Sequence, residues 1–278
     1  MRFAAAALCW LLATVAVAVA LPTAWVQRNV VDADGYARLT QHAAADPGLQ
    51  AAVGAELSTQ AVRLIREQGY DVDDVGAASV RDAAGAYTAG AAFPAQFVEV
   101  NRSVHDWLFI GGADPWVIDV APMLRDSAFR QLLADYDLRP PSTVTVPLTV
   151  SHLESARPGG LRPVAVWGPW VSLGLAALAG VCAALTLAAA RRRGRALAGL
   201  GVSALLVGAA GWAGVEMGRR YLNLALNQTA GDIRRIADVV VNLAEDSLHG
   251  WLDLALAAGG ALVVFGVVVA MVGGLLKP

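Results

Sequence analysis

Histidine, cysteine and the carboxylates are the residues of this chain that could bind a metal, move a proton or attack a carbon. The four histidines are His42, His105, His152 and His249, and no two stand at a metal-ligand spacing. The strongest polar cluster is Asn101, His105 and Asp106. Asn101 and His105 are i, i+4 neighbours and share one face of a helix. A histidine beside a carboxylate can act as a general base. On an apolar helix face it is more commonly a buried hydrogen-bonding group, and that structural role is the reading favoured here. Asp119, in a strand-like run, reads in the same way as a turn or capping residue.

Other chemistry finds no footing. Cys9 and Cys182 lie in apolar runs and residues 26–162 contain no cysteine. That segment therefore has no disulfide, no thiolate nucleophile and no cysteine-ligated zinc. Gly-x-Ser-x-Gly, His-Glu-x-x-His, Walker and dinucleotide motifs are absent from the sequence. Gly199-Leu200-Gly201 sits inside an apolar run and reads as packing. The expectation is a protein without enzymatic activity, cofactor or metal.

The elements around these residues are mostly membrane spans. Of 278 residues, 56% are hydrophobic and 16% charged, against about 25% charged in soluble domains. Four stretches lack Asp, Glu, Lys and Arg: Phe3–Gln27, Pro163–Ala190, Ala196–Val215 and Leu254–Leu276. Each meets the roughly 20 residues that a helix needs to cross a bilayer core. The first also fits a signal peptide, with Ala18-Val19-Ala20 as a cleavage site. Its length and Trp25 as an interfacial anchor favour a retained span.

The basic turn Arg191-Arg192-Arg193 with Arg195 places the link between spans two and three in the cytoplasm. The resulting organisation is transmembrane helix 1 over 3–25, an extracytoplasmic domain over 26–162, transmembrane helix 2 over 163–190 and the cytoplasmic turn over 191–195. Transmembrane helix 3 follows over 196–217, an extracytoplasmic amphipathic helix over 218–250 and transmembrane helix 4 over 251–276. Both termini are then cytoplasmic, in a bacterial cytoplasmic membrane. The outer domain carries 11 arginines against 17 acids, a net charge of −6. It has no basic stripe, which argues against nucleic acid as a partner.

Within the outer domain, Asp46-Pro47 marks a helix start, and Leu49, Val53, Leu57, Ala61 and Leu64 follow at helical spacing up to Gly69. An earlier helix covers Gly35 to Ala45. Residues 71–90 show no strong period and read as loop or weak helix. A further helix from Pro94 ends at Gly111-Gly112 and carries Phe97, Asn101, His105 and Trp107. Residues 122–136 read as helix. Trp116-Val117-Ile118 and Thr143–Val150 read as strands. The fold class expected is a membrane all-α bundle of four transmembrane helices plus a mostly helical α+β extracytoplasmic domain with a small strand pair. In the second loop, Ile233, Ile236, Val240, Leu243 and Leu248 make an apolar face that must be covered, and packing on the domain is expected.

Small residues recur in the last two spans. Gly208, Gly211, Gly214 and Gly218 line one, and Gly266 and Gly274 the other, as helix-packing positions.

The order of features resembles a family of actinobacterial integral membrane proteins with no assigned activity. The residues carrying the resemblance are Asp46 through Val53, Phe97 through Asn101 to His105, Val117 through Pro122, and the turn Arg191-Arg192-Arg193. The resemblance implies the topology and no mechanism.

The function expected is a non-enzymatic cell-envelope accessory or assembly subunit whose outer domain binds a protein partner. Candidate contacts are Phe97, Asn101, His105, Trp107 and Trp116. The partner is a membrane or envelope protein, or a second copy, with the lipid bilayer as surroundings. The alternative is a sensor or carrier for a lipid or apolar ligand, motivated by the aromatic group Phe93, Phe97, Trp107, Phe109 and Trp116. A hydrolase stands third and would need His105 or His42 to meet a carboxylate and a nucleophile in a cleft. The topology is tested by a reporter fused after Arg193. Activity on the cytoplasmic side is expected, and activity only outside overturns the orientation.

Overall fold

The computed structural model describes residues 2–111, 117–119, 123, 125, 130, 134, 145–147, 158–190, 192–226 and 232–275. Trp116, His152, Arg191, Lys277, most of the helix expected over 122–136 and the ends of the 143–150 strand lie outside the described residues. The described helices are α1 (Arg2–Val26), α2 (Ala33–Ala44), α3 (Pro47–Glu67), α4 (Asp74–Thr88), α5 (Phe93–Phe109), α6 (Arg162–Ala189), α7 (Arg193–Leu226) and α8 (Asp232–Leu275). A π-helical turn, Gln27–Val31, follows α1. α1, α6, α7 and α8 are long and apolar enough to cross a membrane. The chain is a multi-pass membrane protein.

Two compact units divide the chain. One comprises Met1–Val30, Pro163–Leu222 and Glu245–Pro278, and the other Val31–Arg162 and Asn223–Ala244. The long helix α8 contributes its first residues to the second unit and the rest to the first.

In the first unit, the contact between α7 and α8 is made by glycine. Gly194, Gly201 and Gly208 recur every seventh residue on α7, as do Gly259 and Gly266 on α8. A Cβ on Gly201 would stand 2.7 Å from Gly259 O and from Val263 N. A Cβ on Gly259 would stand 2.9 Å from Gly201 O and from Leu205 N. At Gly194 the obstacles are Ala270 N at 2.5 Å and Gly266 O at 2.7 Å. The helices run antiparallel with their backbones in direct contact. In lipid no hydrophobic force draws helices together, so close van der Waals approach has to hold them. α1 joins this pair by polar contacts. Trp10 Nε1 donates to Gly199 O at 3.0 Å, and the Thr14 and Ser203 hydroxyls lie 2.9 Å apart.

In the second unit, three aspartates start three helices. Asp32 accepts from Gly35 N at 2.7 Å, Asp46 from Gly48 N at 2.7 Å and Leu49 N at 3.0 Å, and Asp73 from Gly76 N at 2.7 Å. Each satisfies backbone donors that the first turn leaves unpaired. α3 ends in a Schellman turn: Gly69 adopts φ +89°, Tyr70 N donates to Ile65 O at 3.3 Å and Gly69 N to Arg66 O at 2.9 Å. The core combines Leu49, Val53, Leu57 and Ile65 of α3 with Val80, Ala84 and Tyr87 of α4 and Phe93 and Phe97 of α5. Ile236, Val239, Val240 and Leu243 of α8 pack against it. The apolar face of the amphipathic stretch is thus covered by this core, and the stretch is continuous with α8.

The end of α5 is closed by the segment before α6. Gly159 N donates to Trp107 O at 2.8 Å and Leu161 N to Leu108 O at 3.1 Å. Gly111 and Gly159 meet there with φ +116° and +67°. A Cβ on Gly159 would lie 3.2 Å from Ile110 O.

Of the two readings of residues 71–90, loop or weak helix, the loop is ruled out: Asp74–Thr88 forms a regular helix capped by Asp73. Its buried face is partly alanine, which gives little hydropathy contrast. The α+β class with a small strand pair is overturned as well, because the described residues are overwhelmingly helical. The extended chain described is Val117–Asp119 antiparallel to Thr145–Pro147, three residues each. So short a contact buries no face and builds no layer. Among its described residues the second unit is built from helices.

The glycine contact gives a direct test. Gly201→Leu should lower stability by about 1–3 kcal/mol through overpacking, read as a drop in the melting temperature of the purified protein in detergent. Gly260→Leu, at a position with nothing within 4 Å of its Cβ, should leave it unchanged.

Candidate functional site

The cluster singled out by sequence is a closed structural joint. α5 carries His105 and Asn101, α2 carries Tyr36, and the π turn ends at Val31. His105 Nε2 lies 3.0 Å from Val31 O. A carbonyl only accepts, so Nε2 carries the proton and donates. The ring packs on Tyr36 at 5.2 Å and on Phe109 at 4.6 Å between centroids. Its Nδ1 is 3.7 Å from Asp106 Oδ1, too long for a hydrogen bond. The imidazole is only 6% exposed. Asn101 Nδ2 donates to Phe97 O at 2.8 Å, and Tyr36 donates its hydroxyl to Asn101 Oδ1 at 3.3 Å. Burial raises the Tyr36 pKa above its ordinary 10.0. With Nε2 committed to a backbone carbonyl and the ring enclosed by aromatics, the histidine ties α5 to the chain leaving α1.

The remaining sequence-derived positions fall in different places. Phe97 is in the core, and Trp107 is buried further along the same helix. Trp116 is outside the described residues. His42 is exposed and bonds Arg38 O at 2.9 Å within its own helix. Gly208 faces Leu252 and Leu256, Gly211 faces Leu252, and Gly266 faces Ala198 and Gly194. Gly214 and Gly218 have nothing within 4 Å of a Cβ. Gly274 lies in α8, with no contact described. Gly201, read from the sequence as packing, does pack on Gly259 and Val263; Gly194 and Gly259 were missed by sequence reasoning, and their seven-residue spacing to Gly201 and Gly266 was the available signal.

A second polar array, also unforeseen, runs along α8. Glu245, His249 and Asp253 are four residues apart and face α7. Arg219 pairs with Glu245 at 3.5 Å, His249 stacks on Trp212 at 3.8 Å, and Trp212 Nε1 donates to Asp253 Oδ1 at 3.2 Å. The i, i+4 repeat of ionisable groups was visible in the sequence, but their partner face on α7 was not. Among the described residues no group of three or more His, Cys, Asp or Glu side chains could hold a metal ion.

Recesses also open among the described residues. One of about 290 Å³ draws on all four spans, including Ala13, Ala183, Leu200 and Leu262. A second of about 370 Å³ lies between α1, α7 and α8, with Leu21, Ala210, Gly214 and Leu248 among its walls. A third, about 680 Å³, opens between α3 and α4 of the helical unit and is edged by arginines. In comparisons with known proteins, no family model matches the chain, and no curated protein and no solved structure is similar to it.

Two outcomes follow from the His105 joint. His105→Leu leaves Val31 O unpaired and should cost about 1–3 kcal/mol in thermal unfolding. The raised Tyr36 pKa means that the folded state favours the protonated phenol. Its contribution is complete below pH 10.0 and is lost as pH rises above that value. The wild type should lose stability on that alkaline side, and Tyr36→Phe should flatten this loss.

Proposed function

We propose that this protein is a non-enzymatic accessory or assembly subunit of the cell envelope, held in the bacterial cytoplasmic membrane with both termini inside and its helical unit outside. Its role is to hold a membrane or envelope protein, or a second copy of itself. The resemblance to actinobacterial integral membrane proteins agrees with this topology.

The observation that carries the reading is the far end of α7. That helix has 34 residues, about 50 Å at 1.5 Å each, well beyond a bilayer core of about 30 Å. The charges of Glu216, Arg219 and Arg220 mark where the apolar span gives out. Around and past them, Met217, Tyr221 and Leu224 recur at i, i+4 and i+7 on one helical face and are 60%, 69% and 65% exposed. An apolar stripe continuing beyond the charged end of a span supports contact with another protein.

The second reading, a carrier of a lipid or apolar ligand, draws support from the recess enclosed by all four spans. Thr14 and Ser203 there direct their hydroxyls to the carbonyls of Trp10 and Gly199 in their own helices, so its walls offer an acyl chain an apolar slot.

One experiment separates the two. A photo-crosslinking residue is placed at Tyr221 or Leu224, with Trp170 of α6 as a control, in the tagged full-length protein purified from mild detergent. A stoichiometric protein adduct at positions 221 and 224, absent at 170, is expected. Lipid adducts alone at all three positions, with a retained lipid in the mass spectrum, overturn the first reading in favour of the second.

A further inference from the structure

The helical unit is acidic, yet the recess between α3 and α4 is edged by arginine. Arg63 and Arg66 of α3 and Arg81 of α4 line a cleft of about 680 Å³. That volume falls within the 300–1,000 Å³ of typical small-molecule sites. The arginines come from two helices because 63 and 66 lie one turn apart on α3, while Ala77 and Arg81 lie one turn apart on α4. The apolar part of the wall is Ala55, Val62 and Ala77.

The charges here are unevenly matched. Arg63 pairs with Glu67 at 3.6 Å, and Asp232, also at the cleft, pairs with Arg235 at 3.4 Å. Both acids at the cleft are therefore answered. Among the described residues Arg66 and Arg81 have no ion-pair partner. Two guanidinium groups remain over an apolar wall, with the Ser58 and Thr59 side chains between α3's arginines and Ala55. A guanidinium presents a planar donor fork that fits a carboxylate or a phosphate with two hydrogen bonds.

The rest of the unit limits what can use this site. A net charge of −6 over residues 26–162 repels an extended polyanion or an anionic bilayer surface. A small anion meets the local positive charge without burying that field. The apolar wall in turn favours a ligand with a hydrocarbon stem over a bare ion.

We propose that the α3–α4 cleft binds a small amphiphilic anion, a phosphate or carboxylate on a short apolar stem. Arg66 and Arg81 take the head group, and Ala55, Val62 and Ala77 take the stem. The same chemistry could reach the site as the head of a lipid or as a soluble organic anion. This site is independent of the α7 stripe and stands whether or not a protein partner is found there.

The test uses the full-length protein in nanodiscs of zwitterionic lipid, titrated with butyl phosphate and with inorganic phosphate by calorimetry, with empty nanodiscs as the blank. Butyl phosphate should bind the wild type at least tenfold more tightly than inorganic phosphate. Arg66→Gln and Arg81→Gln should each weaken it at least tenfold. Arg102→Gln, an exposed arginine of the same unit away from the cleft, should bind as the wild type does. Both variants alter exposed side chains, and an unchanged melting temperature confirms that they fold. Adding phosphatidic acid to the nanodisc assigns the source, and either result supports the site: displacement of butyl phosphate points to a lipid head, and no displacement to a soluble anion. Equal affinity of the wild type and both arginine variants, no binding to the wild type, or equal affinity for the two phosphates overturns the proposal.

Discussion

Two helix backbones can touch only where no Cβ stands between them, and the contact of α7 with α8 meets that condition every seven residues. Gly194, Gly201 and Gly208 on one helix face Gly266, Gly259 and Leu252 on the other. The first unit relies on it, since lipid gives apolar side chains no reason to prefer one another. α1 adds what the bilayer makes valuable, a few hydrogen bonds from Trp10 and between Thr14 and Ser203. The same α8 then packs in a second way. Its first turns carry Ile236, Val239, Val240 and Leu243 onto the core of the helical unit, where apolar side chains are buried together. One continuous helix thus obeys two packing rules, glycine against backbone in one unit and branched side chains against a core in the other.

The helical unit uses its polar residues to shape chain direction. Asp32, Asp46 and Asp73 start helices, Gly69 and Gly111 stop them, and His105 holds the π turn by the carbonyl of Val31. This explains why the most chemistry-like cluster in the sequence is a joint. A histidine donating to a main-chain carbonyl and enclosed by Tyr36 and Phe109 gives up its mobility and its exposure, the two properties that proton transfer needs.

Much of this was legible from residues alone. Four apolar runs gave the spans, Asp46-Pro47 gave the start of α3, Gly69 its end, and the spacing of Ile236, Val240 and Leu243 gave a face in need of cover. What stayed hidden depended on pairing. The α4 helix packs Ala84 toward Gly54, and alanine on both faces erases the period that reveals a helix. The strand-like runs around Val117 and Thr145 have β-branched composition, but composition does not measure ladder length, and the architecture is helical. Gly214 and Gly218 satisfy a small-residue motif and yet meet nothing, whereas Gly201 and Gly259 satisfy a longer repeat and meet each other. The cleft at Arg66 and Arg81 escaped notice because its walls belong to two helices, one of which read as loop or weak helix.

The place of Ile236 through Leu243 in the core of the helical unit has a bearing on how the protein is made. Leu49, Ile65, Val80 and Phe93 leave the ribosome early, but part of their cover is encoded more than 130 residues after Phe93. At about 5–20 residues per second, the nascent chain carries that unfinished apolar surface for on the order of ten seconds while α6 and α7 are being synthesised. The core of the unit is therefore completed late in synthesis, with the closing turns arriving only as the last span begins. Any holding factor or insertase that engages the chain has a defined window in which to act, which opens when α5 emerges and shuts when the first turns of α8 do.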